Sequence, residues 1–138
     1  LVRHAEKDRS DKTNSNPELT DLGQQCALSW SSVFENVTFD AVYSTNYLRT
    51  IATAKPTASA KGLEIQFYNP RELYSKDFQQ ETLGKTVLVV GHSNTTPQFV
   101  NAILGIDRYT DIQDNNNANL YIVTGIKEET TSVLLKID

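Results

Sequence analysis

Thr86-Val87-Leu88-Val89-Val90-Gly91-His92-Ser93-Asn94 is the stretch of this sequence that decides its fold. An unbroken Val/Leu run of this length is typical of a strand that is buried on both faces of a parallel sheet. We therefore predict a strand over 86–90, with His92 just past its carboxyl end. Ligands bind at the carboxyl ends of the strands in open α/β sheets. His92 is therefore a candidate site residue.

The second histidine, His4, follows the apolar pair Leu1-Val2 and has Arg3 beside it. The chain contains only these two histidines. If Leu1-Val2 is the end of a strand parallel to 86–90 and next to it, both imidazoles and the Arg3 guanidinium meet in one crevice. Two imidazoles and a guanidinium are suited to an anion, so the sequence predicts an anion site there.

The rest of the chain alternates between helical and strand patterns, which predicts an α/β fold. The predicted helices run from the Thr20 cap to about residue 34, over 47–61 with Pro56 as a kink or break, from the Asn69 cap to about 83, and over 97–104 with Thr95 or Thr96 as cap. The further predicted strands are 40–44, 64–68, 119–124 and 132–137. We expect one domain over 1–138, a three-layer α/β/α sandwich with a mostly parallel central sheet and a C-terminal antiparallel hairpin around 125–131.

Composition limits the partners of this domain. The net charge is −4, which gives no electrostatic basis for binding nucleic acid or an anionic membrane, and no apolar stretch approaches the length of a membrane span. The chain has no methionine, so Leu1-Val2 reads as the end of a truncated strand. A cytoplasmic location is favoured, and an exported form stays open because a leader could precede residue 1.

Three familiar site types do not fit the sequence. Gly84-Lys85-Thr86 lacks the first glycine of a P-loop and precedes its strand instead of following it. The segment 91–95 resembles a serine-hydrolase elbow, but its last residue is Thr95 and no histidine follows it. The two histidines and the single cysteine show no metal-ligand spacing, so no metal site is predicted.

Phosphoryl transfer to histidine fits best. A neutral imidazole is nucleophilic near neutral pH without a separate base. The charge on the phosphoryl oxygens is matched by arginine, whose planar fork binds them in pairs and keeps its charge. Arg3 supplies one fork, and Arg49 supplies a second from a helix that begins at the carboxyl end of the predicted strand 40–44.

Four segments resemble the histidine phosphatase superfamily, which includes the phosphoglycerate mutases. They are the Arg-His-Ala start in 1–7, the Leu-Thr-x-x-Gly helix start in 19–25, the Ser-x-x-x-x-Arg-x-x-x-Thr-Ala segment in 44–54, and the strand that ends in the second histidine, 89–93. The resemblance implies that His4 is the nucleophile that becomes phosphorylated. It also implies that Arg3, Arg49 and His92 hold the phosphoryl group, with His92 donating from its protonated form, and that no cofactor is needed.

The proton donor to the leaving group is less well defined. The resemblance implies an acidic residue after the second arginine segment, and Glu72 is the candidate. The alternative is that Glu72 belongs to a helix cap opened by Asn69 and Pro70. Asp77 and Glu81 are further candidates.

The mouth of the site offers few residues for contacting the rest of a substrate. Lys7 is a candidate substrate-binding residue, and only the polar loops 6–17 and 107–119 are placed to cover the site. A mutase needs a lid that keeps its phosphoenzyme dry, so these short loops favour a compact phosphatase that resembles the phosphohistidine phosphatases. The expected partner is a small phosphorylated substrate or a phosphoprotein. The alternative is a module that binds phosphorylated ligands without turnover. The sequence gives no oligomeric state.

Overall fold

A computed structural model describes residues 1–126 and 128–137 as an α/β domain with a six-stranded sheet. The elements, in chain order, are β1 (Val2–Arg3), α1 (Asp21–Val33), β2 (Ala41–Ser44), α2 (Leu48–Ala60), β3 (Ile65–Phe67), α3 (Lys76–Thr82), β4 (Val87–Gly91), α4 (Thr95–Leu104), β5 (Asn119–Ile126) and β6 (Glu129–Lys136). Two residues lie outside the described part of the chain, Lys127 and Asp138. The predicted domain over 1–138 includes both, and the predicted hairpin loop over 125–131 includes Lys127.

The two strands that precede the histidines are neighbours, which meets the condition for a shared site. The strand order is β3-β2-β4-β1-β5-β6, and β1 pairs with β4 in parallel with Val2 opposite Val90 and Arg3 opposite Gly91. Strands β2 and β3 continue the parallel part, whereas β5 runs antiparallel to both β1 and β6. The prediction of a mostly parallel sheet with a C-terminal antiparallel hairpin is confirmed.

Alternate residues of the parallel strands enter two separate cores, which gives the three layers. On one face, Trp30 of α1 and Ala54 of α2 pack with Val42 and Val90. On the other face, aromatic side chains of α3 and α4 pack with strand residues, namely Phe78 and Phe99 with Tyr43 and Val89. Within the described residues, no helix is long and apolar enough to cross a bilayer.

Helix α1 begins where the sequence predicts, and its start fixes the chain after β1. The Thr20 hydroxyl caps the helix by accepting from the Gly23 amide at 3.0 Å, and the Thr20 amide donates to the Glu6 carbonyl at 3.0 Å. A side chain at Gly23 would collide with the same Glu6 carbonyl. Gly23 therefore allows the close approach that holds the backbone after His4 in place.

The predicted helix over 69–83 is wrong in its first half. Asn69 caps a tight turn instead, because its side chain accepts from the Arg71 amide at 2.9 Å. Tyr74 has φ of 54°, a left-handed conformation that a helix cannot contain. The helix starts only at Lys76, with Ser75 as its cap. Glu72 is therefore not part of a helix cap.

Helix α4 and the hairpin also differ from the prediction, and of the two alternatives at Pro56, a kink or a break, the break is excluded. Helix α2 continues through Pro56 without a break. Asn94, and not Thr95 or Thr96, caps α4, because its side chain accepts from the Thr95 amide. The strands of the hairpin extend to Ile126 and from Glu129, so the connection is shorter than the predicted 125–131 loop. The added pairs, Gly125 opposite Thr130 and Ile126 opposite Glu129, continue the backbone ladder of the hairpin into the predicted loop.

Candidate active site

Four predicted residues meet at the carboxyl edge of the parallel strands. His4 follows β1, His92 follows β4, and Arg49 lies in the first turn of α2, directly after β2. The ring centroids of the two histidines are 5.8 Å apart. His4 and Arg3 are each 3% exposed, and His92 is 9% exposed. The structure therefore brings Arg3, His4, Arg49 and His92 together.

Hydrogen bonds fix the orientation of the His4 ring. Its Nδ1 lies 2.7 Å from the Ala5 carbonyl, which can only accept, so Nδ1 carries the proton. The Ala5 amide in turn donates to the Thr53 hydroxyl at 2.9 Å, and that hydroxyl donates to the Arg49 carbonyl at 2.7 Å. Because Nδ1 is protonated, Nε2 of neutral His4 keeps its lone pair.

The surroundings of His4 favour this neutral form. Burial lowers its pKa to about 3, and the positive charges of Arg3 and Arg49 act in the same direction, while the bond to the Ala5 carbonyl opposes them. At neutral pH the ring is therefore uncharged and nucleophilic.

A chain of hydroxyl groups sets the tautomer of His92. Its Nε2 lies 2.9 Å from the Thr45 hydroxyl, which donates to the Thr50 hydroxyl at 2.9 Å. The proton of Thr50 goes to the Thr45 carbonyl at 2.8 Å. The Thr45 hydroxyl must therefore accept from His92, which places the ring proton on Nε2 and leaves Nδ1 bare, 3.5 Å from Nη2 of Arg49.

His92 is also neutral in this structure, which differs from the protonated form expected from the sequence. Its pKa is lowered to about 4. Burial is the largest cause, and the positive charges of Arg49, Lys7 and Arg3 lower the pKa further. Three cations around the ring oppose a fourth charge unless an anion joins them.

Arg3 clamps a loop and keeps one edge of its guanidinium unused. Its Nη1 donates to three backbone carbonyls, those of Gln113, Asp114 and Asn116, at 3.1, 3.0 and 2.8 Å. Its Nη2 lies 3.4 Å from the Asp114 carboxylate. The buried Nε has no hydrogen-bond partner among the described residues. The Nε side of the fork is therefore available to an acceptor.

Arg49 has still more unused donors. Its Nε and Nη1 are buried and lack hydrogen-bond partners in the part of the chain that the structure describes. Its guanidinium carbon lies 4.8 Å from the centre of the Tyr47 ring, and the same ring meets His92 edge-on at 4.9 Å. Tyr47 therefore contacts both groups and holds them near each other.

The predicted mouth residue Lys7 lies close to this cluster. It is half-buried beside an isolated β-bridge to Leu19. Burial lowers its pKa, and the positive charges of Arg49 and Arg9 lower it further. No carboxylate of the described residues forms a salt bridge with Lys7, whereas Arg9 binds the Asp114 carboxylate at 2.9 Å. A cation in cationic surroundings is suited to an anionic ligand.

Glu72 lies apart from the cluster. It is exposed in the turn between β3 and α3 and lines a separate cavity of about 230 Å³, together with Asp77 and Glu81. None of Arg3, His4, Arg49 and His92 lines that cavity. Among the described residues, no carboxylate contributes to the pKa shift of either histidine. The role of Glu72 as general acid stays a prediction.

Sequence reasoning missed the residues that support the site. Thr53 was part of a recognised segment, but its bond to the Ala5 amide depends on how α2 packs against β1. Asn117 donates to the His4 carbonyl at 3.0 Å from a loop more than a hundred residues away. The polarity of 107–119 was the only available signal for the loop, and it did not single out Asn117.

Comparison with known proteins identifies the family of this chain. A family model of the histidine phosphatase superfamily, branch 1, matches residues 1–70, so the chain belongs to that superfamily. The matched half contains Arg3, His4 and Arg49. No curated protein matches the sequence.

Solved structures share the whole fold. The mycobacterial glucosyl-3-phosphoglycerate phosphatase in complex with inorganic phosphate is 15% identical and has a TM-score of 0.74, covering 99% of this chain and 94% of its own. A phosphoserine phosphatase variant from Entamoeba histolytica in complex with phosphoserine is 16% identical and has a TM-score of 0.71. The match covers 96% of this chain and 92% of the phosphoserine phosphatase. At these identities the likeness shows the fold. Family membership and fold together support a phosphatase.

Proposed function

We propose that the chain hydrolyses phosphomonoesters or phosphohistidine through a covalent phosphohistidine on His4, without a metal ion. The observation that carries this proposal is the state of His4, whose Nδ1 proton is held by the Ala5 carbonyl at 2.7 Å. The Nε2 lone pair is left as the nucleophile, beside two arginines with unused donors.

In the first step, His4 Nε2 attacks phosphorus, the N–P bond forms, and the bond from phosphorus to the leaving oxygen or nitrogen breaks. Negative charge on the three equatorial oxygens is stabilised by the free edges of Arg3 and Arg49. In the second step, water attacks phosphorus, the N–P bond breaks, and phosphate leaves with His4 neutral again.

His92 changes its protonation state as the anion binds. A phosphoryl dianion next to the ring counteracts the three cations that otherwise lower the pKa of His92. Nδ1 therefore takes up a proton, keeps it, and donates a hydrogen bond to a phosphoryl oxygen. The Nε2 bond to Thr45 holds the ring in place during this change. The donating form expected from the sequence is thus a property of the complex.

The leaving group needs a proton unless it departs easily. Glu72 is the proposed donor. Asp114 is closer to the arginines, but its bond to Arg9 and the charge of Arg9 lower its pKa, which makes it a poor acid. If Glu72 does not serve, good leaving groups such as the imidazole of phosphohistidine are turned over best.

The test is hydrolysis of para-nitrophenyl phosphate with EDTA present, by wild type, His4→Gln and Glu72→Gln. We expect wild type to be active and His4→Gln to lose activity. In mass spectra of wild type, a phosphoryl adduct on His4 should be preserved by alkaline quenching and lost after acid quenching, because the N–P bond of phosphohistidine is acid-labile. Activity retained in His4→Gln would refute the mechanism. A folded wild type that binds phosphate but forms no adduct would favour the binding module. Glu72→Gln is also assayed on glycerol 3-phosphate, whose alkoxide leaving group needs a proton, and unchanged activity on that substrate would remove Glu72 from the mechanism.

A further inference from the structure

A second cleft, of about 560 Å³, lies next to the phosphoryl site, and all seven residues that line it are polar or charged. Its charged residues are Glu6, Lys7, Arg9 and Asp114, and its neutral ones are Thr20, Asn115 and Asn117. The two sites touch, because Asn117 donates to the His4 carbonyl and Arg3 binds the backbone of the loop 113–116. The volume is that of a small-molecule site.

The charges of this cleft cancel. Lys7 and Arg9 carry two positive charges, and Glu6 and Asp114 carry two negative ones, so their sum is zero. Arg9 is paired with Asp114 at 2.9 Å, whereas Lys7 lies close to the cations of the phosphoryl site. A strongly anionic or cationic leaving group would meet an unfavourable partner along with a favourable one. The cleft therefore favours a leaving group without net charge.

The lining also disfavours apolar groups. Sites for aryl, acyl or lipid groups are lined mainly by hydrophobic and aromatic side chains, and none of the residues that line this cleft is of that kind. An apolar group would displace water from amides and carboxylates without replacing their hydrogen bonds, which costs free energy. What fits is a molecule that offers several hydroxyl groups.

Free donors and acceptors for hydroxyl groups are present. The Asn115 side chain is exposed in the cleft and has no hydrogen bond to the described residues, and Asn117 uses its amide nitrogen on His4 while its oxygen has no donor there. The clamp of Arg3 on three carbonyls fixes the loop that carries both amides, so their positions are set before substrate arrives.

We propose that this cleft is the leaving-group subsite and that it selects sugar or polyol monophosphates, an inference that rests on the proposed phosphatase function. Asn115 is then a specificity-determining residue that binds a hydroxyl group of the leaving group. The loop residues 113–117 connect recognition of that group to the phosphoryl site through Arg3.

The test compares kcat/KM for glucose 6-phosphate and glycerol 3-phosphate with kcat/KM for phenyl phosphate, in wild type, Asn115→Ala and Asn115→Leu. Taking the ratio within each variant removes changes that affect the chemical step on all substrates. One lost hydrogen bond lowers the ratio about two- to tenfold in Asn115→Ala. Asn115→Leu lowers it further, because leucine supplies an apolar wall for the phenyl ring. Asn36→Ala, an exposed asparagine at the other edge of the sheet, leaves the ratio at its wild-type value.

Three outcomes would overturn the inference. An equal ratio in wild type and both Asn115 variants would show that the cleft does not contact the leaving group. Preferred turnover of a phosphoserine peptide over both polyol phosphates would assign the cleft to a polypeptide. Absence of turnover for every substrate, phenyl phosphate included, would refute the proposed function itself and this inference with it.

Discussion

Acidification is expected to destabilise this fold through its two histidines. Both are neutral in the folded protein, because burial lowers the pKa of His4 to about 3 and of His92 to about 4. In the unfolded chain the pKa of each histidine returns to its ordinary value of 6.5. Between these values the unfolded chain binds more protons than the folded one, so the free energy of unfolding falls as pH falls below about 6.5.

The magnitude follows from the width of that window. A pH of 5 lies about 1.5 units below the pKa of a histidine in the unfolded chain, and each unit corresponds to about 1.36 kcal/mol. Each histidine that stays neutral in the folded protein therefore lowers the free energy of unfolding at pH 5 by about 2 kcal/mol. Both remain neutral in the folded state at this pH, and together they cost about 4 kcal/mol. That is a large fraction of the stability of an ordinary domain.

The assay is urea unfolding at pH 7 and pH 5, followed by fluorescence of Trp30. Trp30 is the single tryptophan of the chain and is 4% exposed, so its emission reports global unfolding. The control is the double variant His4→Gln/His92→Gln, which contains no histidine. Carboxylates and the amino terminus titrate in both proteins, and their contribution cancels in the difference.

We expect the stability of wild type, relative to the double variant, to decrease by about 4 kcal/mol between pH 7 and pH 5. Each single variant should lose about half of that dependence. If wild type and the double variant respond to pH in parallel, the histidines are not held neutral, and the argument for a nucleophilic His4 Nε2 loses its basis.

Three further changes test the supporting residues. Arg49→Lys should lower kcat/KM for para-nitrophenyl phosphate about 100-fold or more, because lysine lacks the planar fork; a loss under tenfold would contradict phosphate binding by Arg49. Thr53→Val should lower the free energy of unfolding by about 1–3 kcal/mol in urea titrations, since it leaves the Ala5 amide without its acceptor, and an unchanged midpoint would argue against that bond. Tyr47→Leu should lower kcat/KM about two- to fivefold by removing the ring from Arg49, with Tyr47→Phe close to wild type in the same assay; equal values for both variants would show that the ring face does not hold Arg49.

The parallel half of the fold was readable because its signals are local. The Val/Leu run before His92 is typical of a buried parallel strand, and the end of that strand defines the edge where ligands bind. The pairing of β1 with β4 was a condition of the predicted site and not a consequence of the sequence pattern, and the structure supplies it. These strand ends, together with the resemblance to the histidine phosphatases, are the signals that group Arg3, His4, Arg49 and His92.

The turn after β3 shows where local signals mislead. Asn69, Pro70 and Glu72 have the spacing of a helix start, yet Asn69 caps a turn and the left-handed Tyr74 delays the helix to Lys76. Asparagine side chains satisfy a turn and a helix end with the same hydrogen bond, so sequence alone does not distinguish the two.

The sequence by itself determined the α/β class, the edge that carries the site and the four residues that meet there, because hydrophobic periodicity and strand ends are properties of short segments. The tertiary structure alone decided the tautomers of both histidines, the clamp of Arg3 on the loop 113–116 and the polar cleft beside it. Each of these depends on hydrogen bonds between residues that are distant in the chain. Such bonds form only after the sheet has brought their partners together, and no local pattern in the sequence encodes them.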